Sequence, residues 1–138
     1  MTTSRIATAL SLLGGLFIIY VGINYLIVPE PTAAGFGLPA VPEGDAVAFL
    51  NLKGVRDVVS GLVILGLLAT KQRFALGVAM LATSLTPFGD MATVLSWHGS
   101  TATALGVHGF TAVLVALAGV LLLREGRVSA TDRQLVTA

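Results

Sequence analysis

The sequence predicts an all-α integral membrane protein, a four-helix bundle whose helices run antiparallel, up and down, with both termini on the cytoplasmic side. Three observations point there. Of 138 residues 55% are hydrophobic and 11% charged, against about 25% charged in an ordinary soluble domain, and mean hydropathy is +0.91. The apolar excess is gathered into four runs, each long enough to cross a bilayer. Basic residues outside those runs fall in alternate connections, the pattern left by cytoplasmic positive charge.

The first run, residues 6–28, is about 23 residues or roughly 34 Å of helix, with Asn24 its only strongly polar member. Arg5 before it and Thr32-Ala33-Ala34 after it imitate a signal peptide, but the apolar core exceeds the ~15 residues such a peptide uses. Residues 29–45 hold four of the five prolines, three glycines and the acids Glu30, Glu43 and Asp45, which excludes a long helix. They form an outer loop, with one short turn at the interface through Phe36 and Leu38. Gly35 and Gly37, flanking Phe36, permit that loop to move over whatever lies beneath it.

The second span covers 46–69 and the third 74–97, and the basic connection Thr70-Lys71-Gln72-Arg73 forces them into an antiparallel hairpin. After the turn His98-Gly99-Ser100 the fourth span covers 101–123, and a polar tail, 124–138, is expected to be mobile. The whole chain is then a single transmembrane domain, multi-pass in the cytoplasmic (plasma) membrane. Arg5, Lys71, Arg73, Arg124, Arg127 and Arg133 share one side. The small residues Gly14, Gly15, Gly61, Gly66, Ala112, Ala116 and Gly119 let helices approach closely, because packing rather than hydrophobicity drives association in lipid.

Several function classes fall away on composition. Eight basic against seven acidic residues, net +1, leave no basic surplus for nucleic acid. The absence of cysteine removes disulfides, thiolate metal sites and cysteine nucleophiles. No histidine pair stands at ligand spacing and the carboxylates inside the spans have cationic neighbours, so a metal is not expected. The partners implied are membrane lipid and a lipophilic small molecule, and assembly into a homo-oligomer is compatible with the sequence.

The informative residues are polar ones inside the spans. Lys53, Arg56 and Asp57 lie in the second and Asp90 in the third, where an ionised side chain near the bilayer centre costs at least ~2.5–3.5 kcal/mol. Lys53, Arg56, Asp57 and Ser60 fall within about a 100° sector of their helix, and Asn51 on another face. Thr83, Thr86 and Asp90 share a face with Pro87, which predicts a kink. Thr101, His108 and Thr111 align on the fourth span, and Tyr20 and Asn24 stand at i, i+4 on the first. His98 and Trp97 read as interfacial turn residues.

Depth agrees across helices. Measured from the non-cytoplasmic end at ~1.5 Å per residue, Asn24 lies roughly 6 Å in, Lys53 and Asp90 roughly 10 Å, His108 roughly 9 Å and Asp57 roughly 16 Å. Four helices thus aim polar groups at one chamber in the outer half of the bundle, above an apolar plug. Two carboxylates in a poorly hydrated space tend to titrate apart, one ionised beside a cation and one neutral. That pairing supplies a base and an acid for opening an epoxide, moving a double bond or starting a cyclisation, with no cofactor.

The segments Asn51-Leu52-Lys53-Gly54-Val55-Arg56-Asp57 and Thr86-Pro87-Phe88-Gly89-Asp90 resemble a family of small four-helix membrane proteins of bacteria and fungi. Some fungal relatives resemble membrane epoxide hydrolases of polyketide pathways, and the resemblance implies that reaction class. Arg56, Asp57 and Asp90 are also similar in type to the Asp-Arg-Asp set of the soluble limonene-epoxide hydrolases, a different fold. Asp57 and Asp90 are accordingly the expected acid/base pair, with Arg56 and Lys53 holding a carboxylate ionised or steadying an alkoxide. Asn24, Tyr20, Asn51, His108 and Thr86 are expected to position water or substrate.

Two other readings compete. A small proton-coupled transporter or efflux subunit would match in size, although the small multidrug-resistance proteins resemble one another in a lone Glu of the first span that is missing here. A scaffold is the other: two cations and two carboxylates sum to zero, so the cluster can serve as an ion-pair network locking helices in register.

Overall fold

The computed structural model describes residues 2–136, with side chains described from residue 3 to residue 125. The chain forms α1 (Thr2–Ile27), the short α2 (Pro29–Ala34), a 3-10 turn (Gly44–Ala46), α3 (Val47–Ala69), α4 (Arg73–Ser96), one turn of α5 (Thr101–Thr103), a π-helical segment (Ala104–Gly109) and α6 (Phe110–Val136). No strand occurs among the described residues. Three stretches, Thr3–Ile27, Arg73–Ser96 and Thr101–Glu125, are long and apolar enough to cross a membrane. The expected second span, now α3, is long enough but carries Lys53, Arg56 and Asp57 within its 23 residues, and this keeps it outside that set.

The Pro-rich segment is more ordered than a loop. Pro29 opens α2, where its fixed φ and missing N–H cost nothing, and the helix lasts only to Ala34. Gly37 then takes a φ of 98°, which a glycine adopts freely, and its carbonyl accepts from Ser100 N–H at 2.8 Å. Both tight turns close alike. Lys71 and His98 have φ of 58° and 55°, and paired backbone bonds (Gln72 to Leu67 and Lys71 to Leu68; Gly99 to Val94 and His98 to Leu95) end α3 and α4 in the Schellman pattern. Ser100 caps the next helix, its hydroxyl accepting from Thr103 N–H at 3.2 Å. The tail expected from Arg124 is helical backbone as far as Val136; the side chains of Arg127 and Arg133 lie outside those described.

Helices pack in two close pairs, α1 with α3 and α4 with α6, joined mainly where α1 meets α6, while α3 and α4 touch sparsely. Glycines make the close pairs possible. Gly22 and Gly54 back onto each other, so a Cβ on either would meet the other's carbonyl oxygen, at 2.7 and 2.8 Å. One heptad away a Cβ on Gly61 would meet the Gly15 carbonyl oxygen at 2.6 Å, while one on Gly15 would meet Leu65 and Ile64, and Gly119 lies on Gly77 in the α4–α6 pair. Two expected packing residues do otherwise: Gly66 faces open space, and Gly14 lines a cavity. The core of Ala7, Ile64, Leu76, Met80, Ala118 and Leu122 fills the end nearest the Lys71 turn. Arg73 closes that end by donating to Glu125 at 2.6 Å, to the Thr8 hydroxyl at 2.8 Å and to Ser4.

Candidate functional site

At the opposite end α1, α3, α4, α6 and the α2 segment enclose a cavity of about 280 Å³. Its ionisable lining residues are Tyr25, Lys53, Asp57, Asp90 and His108. Lys53 and Asp57, one turn apart on α3, form an ion pair of 2.6 Å. The ammonium also stands 4.7 Å from the centre of the Tyr25 ring and 5.7 Å from that of Phe36, within cation–π range. Asp57 is only 6% exposed and Tyr25 only 3%, so the cation's partners are largely withdrawn from the surface.

His108 comes from the π-helical segment. Its Nε2 lies 2.8 Å from the Phe36 carbonyl, which can only accept, so Nε2 carries a hydrogen and Nδ1 is turned to Asp90, 4.0 Å from Oδ2. The Phe36 ring covers the imidazole, centroids 4.6 Å apart. Asp90 in turn lies within electrostatic reach of Lys53, His108 and Asp57. π-Helical turns of this kind are common at functional sites, and this one explains why Thr101 does not line the cavity although His108 and Thr111 do: the wider turn breaks the regular helical step. Pro87 sits in α4 one turn from Asp90, and its missing N–H leaves the Thr83 carbonyl without its usual donor. Both residues line the cavity, as does Thr86.

Four expected site residues lie elsewhere. Arg56 is exposed and outside the lining, because the 100° step from Asp57 carries it past the edge of the inward face. The Arg56, Asp57, Asp90 trio is therefore not assembled, and Lys53 is the cation of the site. Tyr20 is 64% exposed; the cavity's tyrosine is Tyr25, in register with Gly14, Ile18 and Val21. Asn24 donates to the Tyr20 carbonyl at 2.7 Å within its own helix. Asn51 reaches across to α1 and donates to the Tyr25 carbonyl at 3.0 Å, which holds the turn that carries Tyr25 without touching the cavity. Sequence reasoning missed Tyr25, whose spacing from Val21 and Ile18 was a usable signal, and the covering role of Phe36, for which periodicity offers none. Among the described residues no group of His, Asp and Glu is arranged to hold a metal ion.

Comparison with curated proteins and with solved structures gives no match. Residues 15–122 match the profile of a domain of unknown function (DUF4267), a stretch that includes every cavity residue except Gly14; the chain belongs to that family.

Proposed function

We propose that the protein is a small membrane enzyme that performs acid/base chemistry on a lipophilic substrate without a cofactor, with epoxide opening the reaction the site suits best. In this reading α3 is a fourth crossing, the termini are cytoplasmic, and the cavity lies in the outer half of the plasma membrane. One observation carries the proposal: carboxylates from two helices, Asp57 and Asp90, line one mainly apolar cavity, each with a different basic partner.

The charge count supports it. With Arg56 outside, the cavity holds one permanent cation, Lys53, and two carboxylates, so a proton held between Asp90 and His108 restores neutrality in surroundings that penalise net charge. Asp57, paired with Lys53, is then the base and Asp90 the acid. Asp57 takes a proton from water as the water oxygen attacks an epoxide carbon. The carbon–oxygen bond breaks, and Asp90 protonates the departing oxygen to complete a vicinal diol. The proton on Asp57 returns to Asp90 by way of a further water molecule, and His108, whose Nδ1 faces Asp90, holds that proton for the next turnover. Such general acid and base groups each contribute about 10²–10⁴-fold.

The scaffold reading loses ground because the short ion pair joins residues of one helix, and Asp90–His108, which does cross between helices, is a long contact of 4.0 Å. Proton-coupled transport has one observation in its favour, the Asp90–His108 pair, two groups able to exchange a proton across 4.0 Å. Purified protein supplied with an epoxide panel in oxygen-labelled water should form labelled diol, and Asp57→Asn and Asp90→Asn should each lose at least about 100-fold while keeping their helical content. Full activity in both variants would end the proposal, and substrate uptake by proteoliposomes that follows an imposed pH gradient would favour the transporter.

A further inference from the structure

The cavity has a direction. Its lining runs from Tyr25 back to Gly14 on α1, from Lys53 to Ile64 on α3, from Asp90 to Met80 on α4 and from Val107 in the π-helical segment to Val115 on α6. At ~1.5 Å per residue the longer runs give an axial extent of roughly 15 Å. Every ionisable lining residue is at the end covered by Phe36, hydroxyls of Ser60, Thr83, Thr86 and Thr111 follow, and the far end is Gly14, Ile18, Ile64, Met80 and Val115. A volume of about 280 Å³ drawn out over that length is narrow, and the gradient along it matches a linear molecule with one polar end.

We infer that the cavity binds a single-chain amphiphile lying along the bundle axis, its polar or reactive head between Asp57 and Asp90 and its hydrocarbon tail against Gly14, Ile64 and Met80. For the reaction at the head this rests on the function proposed above; the binding geometry stands without it. Gly14 sets the depth. A Cβ there would lie 4.0 Å from Met80 Cε, with nothing closer, so a larger side chain extends into the cavity and not into a neighbouring helix.

The test measures binding, not turnover. Straight-chain 1,2-alkanediols of increasing length are titrated into the full-length protein in detergent and bound ligand is counted by native mass spectrometry. Affinity should rise about threefold to fourfold per methylene and stop rising at one chain length. Gly14→Leu should move that break to shorter chains and leave the shortest diols unaffected; Val115→Phe, at the same level on α6, serves should Gly14→Leu not fold. A break that neither variant moves, or a rise with no break, overturns the inference, since the chain would then be partitioning into the micelle. A break that moves in a protein inert toward every epoxide sinks the proposed reaction and leaves the chain site standing; epoxide turnover with no break does the reverse.

Discussion

Lys53 is the residue on which the site's charge balance turns, since it alone among the lining residues is a permanent cation and it meets Asp57, Tyr25 and Phe36 together. Lys53→Met leaves the buried Asp57 carboxylate without its partner, a change that costs about 3 kcal/mol and should lower the melting temperature in detergent. Adding Asp57→Asn to that variant removes the orphaned charge and should recover most of the loss; failure to recover would mean that the lysine stabilises chiefly through its stem and the aromatic rings. Arg56→Gln should leave epoxide turnover at the parent level, because Arg56 faces outward. A loss comparable with that of Asp90→Asn would return Arg56 to the site.

The elements obey two glycine rules of opposite sign. Gly15 and Gly22 on α1 are seven residues apart, as are Gly54 and Gly61 on α3, and this shared spacing brings the two backbones into contact along a seam. Gly22→Leu has nowhere to go and should destabilise the protein by about 1–3 kcal/mol. Gly66, also inside α3 but facing open space, should tolerate alanine with a gain of about 0.5–1 kcal/mol. Thermal unfolding of the two variants in one detergent compares them directly, and equal shifts would show that the seam is not as close as the glycines make it. The π-helical segment is an element-scale feature that no periodicity in Thr101–Thr111 announces; its effect is visible only in which of those residues reach the cavity.

At the scale of the molecule, two tight helix pairs are clamped at one end by Arg73, which binds Glu125 within its own pair and Thr8 and Ser4 on α1 of the other, and covered at the other end by the Phe36 segment, leaving the sparse α3–α4 boundary as the loosest wall. Thr86, on α4, is exposed and yet lines the cavity, so the cavity nears the surface beside it. A tryptophan placed at residue 86, in a background where Trp97 is changed to Phe, should be quenched by brominated acyl chains in reconstituted vesicles. Quenching by aqueous iodide instead would place this surface against water. The cover is tied down by backbone as well as by His108, since Gly37 accepts from Ser100, and the freedom that Gly35 and Gly37 suggest in the sequence is taken up by that contact.

What the chain by itself determined is the helical class, three of the four expected spans as helices long and apolar enough to cross a membrane, and the inward position of the ionisable residues Lys53, Asp57, Asp90 and His108. These follow from hydropathy and a 100° step, both local properties, combined with the cost of charge in lipid. Only the tertiary structure decided that Arg56 is left out, that Tyr25 and not Tyr20 meets Lys53, that Asn51 braces Tyr25 from another helix, and that Phe36 caps the imidazole. Each of these depends on the rotation of one helix against another or on where an irregular segment folds back, and such angles are set by the glycine seams and the π turn acting together across helices.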